Sequence, residues 1–168
     1  MGRAILMSIH PEWVEKIASG EKTVEVRKTA PLEKCPFRVY IYQTKPKSGD
    51  WNDMDGMVIG EFMCKCIMEY NTRTSIMYSL SEHSCVPIID LKEYVGARDW
   101  IFGWKISDVR MFKEPVPLPM FSRPCTRSGP CNWCKHAEPD PQDGHLHCEN
   151  RVQRPPQSWM YVEEVNIE

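Results

Sequence analysis

The chain has no long apolar run. None of its 168 residues lies in a stretch approaching the roughly 18 uninterrupted apolar positions that a membrane span needs, so an integral helical membrane protein is excluded. It also lacks the pattern of a secretory leader: the opening MGRAILMSIHPEW breaks at His10-Pro11-Glu12 after only a short apolar stretch. A cytoplasmic protein is expected. Internal repeats and long low-complexity tracts are absent as well. Charge of one sign is not in excess either. With 21 Lys and Arg against 23 Asp and Glu, the net charge is −2, so a polyanionic partner must be met by a local patch.

One such patch runs from Lys22 to Lys47. It holds Lys22, Arg27, Lys28, Lys34, Arg38, Lys45 and Lys47 against only Glu25 and Glu33. The length is that of a single domain, spanning 1–168, able to bury roughly 70% of its unfolded surface in one core.

The periodicities predict an α+β fold. Ala4 to Ile9 is a buried strand. A helix follows, with Pro11 in its first turn, Val14, Ile17 and Ala18 on one face, and Gly20 positioned to end it. Thr23 to Arg27 then switches to a period of two, with Val24 and Val26 facing a core and Glu25 and Arg27 facing away, as in a half-buried strand. Phe37 to Thr44 is aromatic and β-branched, and Lys45 to Asp55 is a polar loop. From Met57 to Met68, alternation sets Val58, Phe62, Cys64 and Cys66 inward and Glu61 and Lys65 outward. Ile88, Leu91 and Val95 mark a second helix closed by Gly96; Trp104–Met111 and Ser158–Val162 read as closing strands.

Between those strands, residues 123–156 are rich in Pro, Gly, Cys, His and charge and nearly devoid of large aliphatics. A segment of this composition needs an organiser other than apolar burial, such as a metal. Cys125, Cys131, Cys134 and Cys148 supply one: Cys131-Asn132-Trp133-Cys134 has the spacing that places two thiolates at adjacent corners of a tetrahedron. A closed, structural Zn²⁺ knuckle is expected, with His145 or His147 as alternative fourth ligands. Cys35, Cys64, Cys66 and Cys85 lack companion spacing and are expected to behave as small buried hydrophobes.

Residues 20 to 27, Gly-Glu-Lys-Thr-Val-Glu-Val-Arg, match a Gly-x-Lys-x-x-Glu-x-Arg pattern placed between a helix and a strand. In this, and in Gly60-Glu61-Phe62, Trp104-Lys105-Ile106-Ser107-Asp108 and Pro155-Pro156-Gln157-Ser158-Trp159, the chain resembles the ASCH domain family. The resemblance covers most of the chain outside the cysteine-rich insert, and extends to compact members carried by phage and gut bacteria. It implies a small PUA-like mixed β-barrel with flanking helices, whose groove accepts RNA, a nucleotide or a nucleoside.

Lys22, Glu25 and Arg27 are the expected centre of that groove. Two cations flanking one carboxylate can hold a phosphate or hydrogen-bond a base edge. On an exposed strand face the trio is expected to contribute little to stability, so charge reversal at Lys22 or Arg27 should abolish binding alone. Lys45 belongs to the same basic patch. Tyr40, Tyr42, Trp51, Trp104 and Trp159 are the available stacking surfaces, with Trp51, in the polar loop, the least suited to a core. His10 ends the first strand near the groove.

A branch of the family resembles small amidohydrolases of acylated cytidine, using a Lys, a Thr where Glu25 stands here, and a Glu from a later strand. Lys22 is retained, and Glu25 with Glu61 would be the acid/base pair of such an enzyme, with Thr23 as a displaced hydroxyl. The remaining expected partner is a protein docking on the insert.

Overall fold

In a computed structural model, the described residues form a six-stranded sheet, a separate pair of short strands, three α-helices and a single 3-10 turn at Leu118–Met120. Residues 2–46, 51–124 and 150–167 are described, together with the backbone of 138–139 and 146–147. The strands are β1 (Arg3–Ile9), β2 (Val24–Arg27), β3 (Phe37–Gln43), β4 (Val58–Asn71), β5 (Trp100–Val116), β6 (Glu138–Pro139), β7 (Leu146–His147) and β8 (Trp159–Glu163). Helices α1 (Pro11–Ala18), α2 (Ile76–Ser84) and α3 (Ile88–Val95) complete the set. The sheet order is β2-β5-β4-β3-β1-β8, with β1 and β3 parallel and every other pair antiparallel; β6 and β7 pair separately within the insert.

The apolar run of β1 follows from its place between β3 and β8, with both faces covered. Ile5, Met7 and Ile9 join one core cluster with Val39, Ile41 and Trp104; Ala4 and Leu6 join a second with Tyr40, Tyr42 and Phe121 on the other face. α1 begins on Pro11, buries Val14 and Ile17, and is followed by Gly20 at φ +81°, where a side chain would strain the backbone.

β2 departs from the half-buried reading: all four of its residues are buried. Val24 and Val26 pack beneath Met77, Leu80, Leu91 and Val95, side chains of α2 and α3. Each such residue contributes roughly 1.5–3 kcal/mol when fully buried. Gly103 of β5 makes this closeness possible, since a Cβ there would stand 2.9 Å from Val24 Cγ1 and 2.7 Å from Tyr70 Cε2. The sequence reading does not include α2, although Met77, Leu80 and Ser84 form its buried stripe at helical spacing.

The hydrogen-bonded order is open, running from β2 to β8, yet the two edges meet through side chains. Trp159 Nε1 donates to Thr29 Oγ1 at 3.1 Å, and the Leu32 amide donates to the Tyr161 hydroxyl at 2.8 Å. The expected barrel is therefore a curled mixed sheet whose last seam is sealed by side chains rather than by a strand ladder. Bulges in β4 also break its simple alternation. Cys64 is fully buried, whereas Cys66, past one shift, is only half-buried; Cys35 and Cys85 are half-buried too. Glu61, expected to face outward, is buried and neutralised by Arg38 and Arg110.

Candidate functional site

The turn after α1 fixes Lys22 before its side chain does anything. Its amide donates to the Lys16 carbonyl at 2.9 Å, and the next amide, of Thr23, donates to His83 O on α2 at 2.9 Å. The Lys22 ammonium is thereby carried inside, to 2% exposure. It donates to the Ser84 carbonyl at 2.6 Å, at the C-terminal end of α2, where an unpaired carbonyl and the helix dipole both favour a cation. It also meets Glu25 Oε2 at 3.2 Å and lies 5.2 Å from the Trp13 ring centroid.

Glu25 and Arg27 share a face of β2, as the period of two required. Arg27 Nη2 donates to Glu25 Oε1 at 2.9 Å and to the Ser8 carbonyl of β1 at 2.7 Å. Nη1 makes longer contacts with Ser158, 3.4 Å to its carbonyl and 3.3 Å to its hydroxyl. Arg27 thus spans the sheet's open seam. Its Nε is buried and has no hydrogen-bond partner among the described residues. The three expected residues are brought together, but as a buried network. Removing one member of such a network typically costs about 3–5 kcal/mol, so the expectation that charge reversal spares stability is corrected.

The network forms the floor of a cleft of about 640 Å³ between the sheet, α1, α3 and the segment from Pro155 to Ser158. His10 lines it as well, with Nδ1 2.9 Å from Thr44 Oγ1, and so do Thr44 and its chain neighbour Lys45. Trp51 is exposed and lies under the Lys45 ammonium, 4.1 Å from the ring centroid, so it stands beside the lining residue Lys45 without itself lining the cleft.

Tyr40 and Trp104 are core residues. Trp104 packs edge-on against Phe37 at 5.6 Å, and the Tyr40 hydroxyl donates to Val165 O at 2.9 Å while accepting its amide at 2.8 Å. Trp159, half-buried, stacks at a tilt on Trp104 and does not line the cleft. Of the aromatics expected to stack, Tyr42 alone lines it.

Trp13 and Tyr94 are aromatic lining residues that the sequence reading misses. Both sit at the edge of a helix's buried stripe, Trp13 packing against the core beside Val14 and Ile17, and an aromatic at the stripe's edge is the available signal. Burial holds the Tyr94 phenol above its ordinary value; Arg27 pulls it back, Glu25 pushes it further, and the Lys28 backbone and Arg98 also pull it down.

Glu61 is not brought to this site. It lies on β4, two strands from β2, where Oε1 accepts from Arg38 Nη1 at 2.6 Å and Arg110 Nε at 3.1 Å. Thr23 is also absent from the lining, held against His83 O. The acid/base pairing of Glu25 with Glu61 therefore has no geometric basis. Cys125, Cys131, Cys134 and Cys148, and the side chains of His145 and His147, lie outside the described residues. Among the described residues, no group of three or more His, Cys, Asp or Glu side chains is arranged to hold a metal. Nor is any described helix long and apolar enough to cross a membrane.

The chain is 44% identical over 41 residues to an ASCH domain-containing ribonuclease of Zymomonas mobilis, a segment covering 24% of this chain and only 28% of that relative's length. It is similar in fold to the crystal structure of ASCH from Zymomonas mobilis, with a TM-score of 0.64 and 19% identity, covering 96% of this chain and 88% of that one. A single-substitution variant of that protein gives a TM-score of 0.57 at 22% identity, over 68% of this chain and 76% of that chain. The family model for the ASCH domain matches residues 7–116, and with the strand, helix and motif placement above this establishes that the chain belongs to the ASCH domain family.

Proposed function

We propose that the cleft binds RNA or a nucleotide-type ligand, with Lys22, Glu25 and Arg27 at its floor and Lys45 and Trp51 at its rim. One observation carries the reading. A guanidinium more than nine-tenths buried lines the cleft with an unpartnered Nε, beside a carboxylate with acceptor capacity left over. A planar base edge with adjacent donors and acceptors is complementary to this pairing of carboxylate and guanidinium. Trp13, Tyr42 and Tyr94 offer it flat apolar surface. The relative named as a ribonuclease supports a ligand of this class.

Arg27→Lys tests it, because the charge stays while the planar fork is lost. Binding of single-stranded RNA and of a ribonucleoside panel should fall at least tenfold, measured below the melting transition of each variant. Arg38→Lys and Arg110→Lys, in the other carboxylate cluster, should bind as wild type does. A wild-type protein that binds no member of the panel, or an Arg27→Lys variant of unchanged affinity, overturns the assignment.

The cysteine spacing supports a structural Zn²⁺ held by Cys125, Cys131, Cys134 and Cys148. Elemental analysis of protein purified without chelator should give one equivalent of zinc, lost in Cys131→Ser. A protein partner seated on the insert would be lost with that same change and kept in Arg27→Lys.

A further inference from the structure

The floor of the cleft is poorly equipped to hold phosphates, and Lys45 is the one lysine or arginine of the lining that forms no ion pair among the described residues. Lys22 and Arg27 are each already paired with Glu25, and each also donates to a backbone carbonyl. A phosphate arriving there competes with a buried carboxylate. A nucleic-acid strand needs cations without carboxylate partners for its backbone.

Such cations stand on the next face of α3. Asp90, Leu91 and Tyr94 of that helix line the cleft, while Lys92 and Val95 line a second pocket of about 370 Å³. This pocket also contains Thr72, Arg73, Arg98 and Asp99. Arg73 is paired with Asp99, but Lys92 and Arg98 are exposed and form no ion pair among the described residues. The turn bearing Arg98 is anchored to the end of β4: Thr72 Oγ1 donates to Arg98 O at 2.6 Å and the Thr72 amide to Asp99 O at 3.0 Å.

Tyr94 lines the cleft from the same helix whose Lys92 and Val95 line the second pocket. Its phenol lies within the fields of both Arg27 and Arg98, and the Lys28 ammonium sits 4.5 Å from its ring centroid. Lys28, Lys92 and Arg98 thus stand around α3 outside the cleft floor, interspersed with Asp90, Glu93 and the Arg73-paired Asp99.

Resting on the reading of the cleft as a base-binding site, we propose that the pocket formed by Thr72, Lys92 and Arg98 is a phosphate subsite for the same RNA strand. The base enters the cleft, the strand passes over Tyr94, and a neighbouring phosphate is held by Lys92 and Arg98. The base contacts supply discrimination and the second pocket supplies the salt-dependent part of affinity.

The test compares Lys92→Glu/Arg98→Glu with Lys65→Glu/Lys113→Glu, a control double variant with the same change in net charge at exposed positions of β4 and β5. Both are titrated with a labelled single-stranded oligoribonucleotide of mixed sequence over a range of salt concentrations. The pocket variant should bind at least tenfold more weakly than the control. Its plot of log affinity against log salt should be shallower by about 0.7 for each phosphate that the protein no longer neutralises. Equal affinity and equal salt slope in the two double variants overturn the subsite and leave the cleft standing. A wild-type protein that binds no RNA overturns both.

Discussion

Among the described residues stand two clusters of the same charge pattern, each a carboxylate between two cations, lysine and arginine in one and two arginines in the other. Glu25 lies between Lys22 and Arg27, and Glu61 between Arg38 and Arg110; both carboxylates are 7% exposed. They differ in where the cations end. Lys22 and Arg27 are buried with Glu25 and line a cleft, whereas Arg38 and Arg110 reach water at 32% and 45% side-chain exposure and line neither of the two pockets described above. Each cluster also has a tyrosine, Tyr94 beside the first and Tyr40 beside the second. Chemistry alone thus does not make a site. Position in the sheet does, because β2 stands at an open seam that helices cover incompletely, while β4 lies between two neighbouring strands.

The sharpest way to break this comparison is to remove the two carboxylates. Glu25→Ala leaves two buried cations uncompensated and should cost about 3–5 kcal/mol in chemical denaturation. Glu61→Ala leaves cations that water can solvate, and should cost about 1 kcal/mol. Equal losses would show that the difference in exposure carries no energetic weight. Ligand binding separates the clusters next, through the Arg27→Lys, Arg38→Lys and Arg110→Lys series.

The smallest expected effect is on alkaline stability. Burial is the main cause that raises both phenols, Tyr40 and Tyr94, above their ordinary value. The folded state therefore keeps these protons to a higher pH than the unfolded chain. The resulting stabilisation is fully present below the unfolded value of about 10 and is lost as pH rises through the raised folded values. Tyr94→Phe should flatten the alkaline limb of the stability curve without changing its neutral plateau. Tyr40→Phe should flatten it too while lowering the plateau, since it removes two hydrogen bonds with Val165. An unchanged alkaline limb in both variants would remove the tyrosines from the comparison.

Much of the fold was legible because local signals agreed with it. The apolar run of β1, the Pro11-to-Gly20 helix and the alternation of Val24-Glu25-Val26-Arg27 each needed only short-range rules. The failures came where distant elements intervene. The bulges of β4 interrupted its alternation and left Cys66 half-buried, and Lys22, Ser8 and Ser158, meeting Glu25 and Arg27, turned the face of β2 expected to be exposed into a buried one.

The sequence by itself determined that Lys22, Glu25 and Arg27 share one neighbourhood, since a turn followed by a strand of period two places them on one side. It also put Trp51 and Lys45 in one exposed loop. Only the tertiary structure decided that Ser84 receives the lysine and that Ser8 and Ser158 receive the arginine. It alone set Glu61 apart and brought Trp13 and Tyr94 to the cleft. The reason is physical: strand alternation is set by each residue's own backbone, whereas burial and charge pairing depend on distant segments, as Arg27 does on Ser158, 131 residues away in the chain.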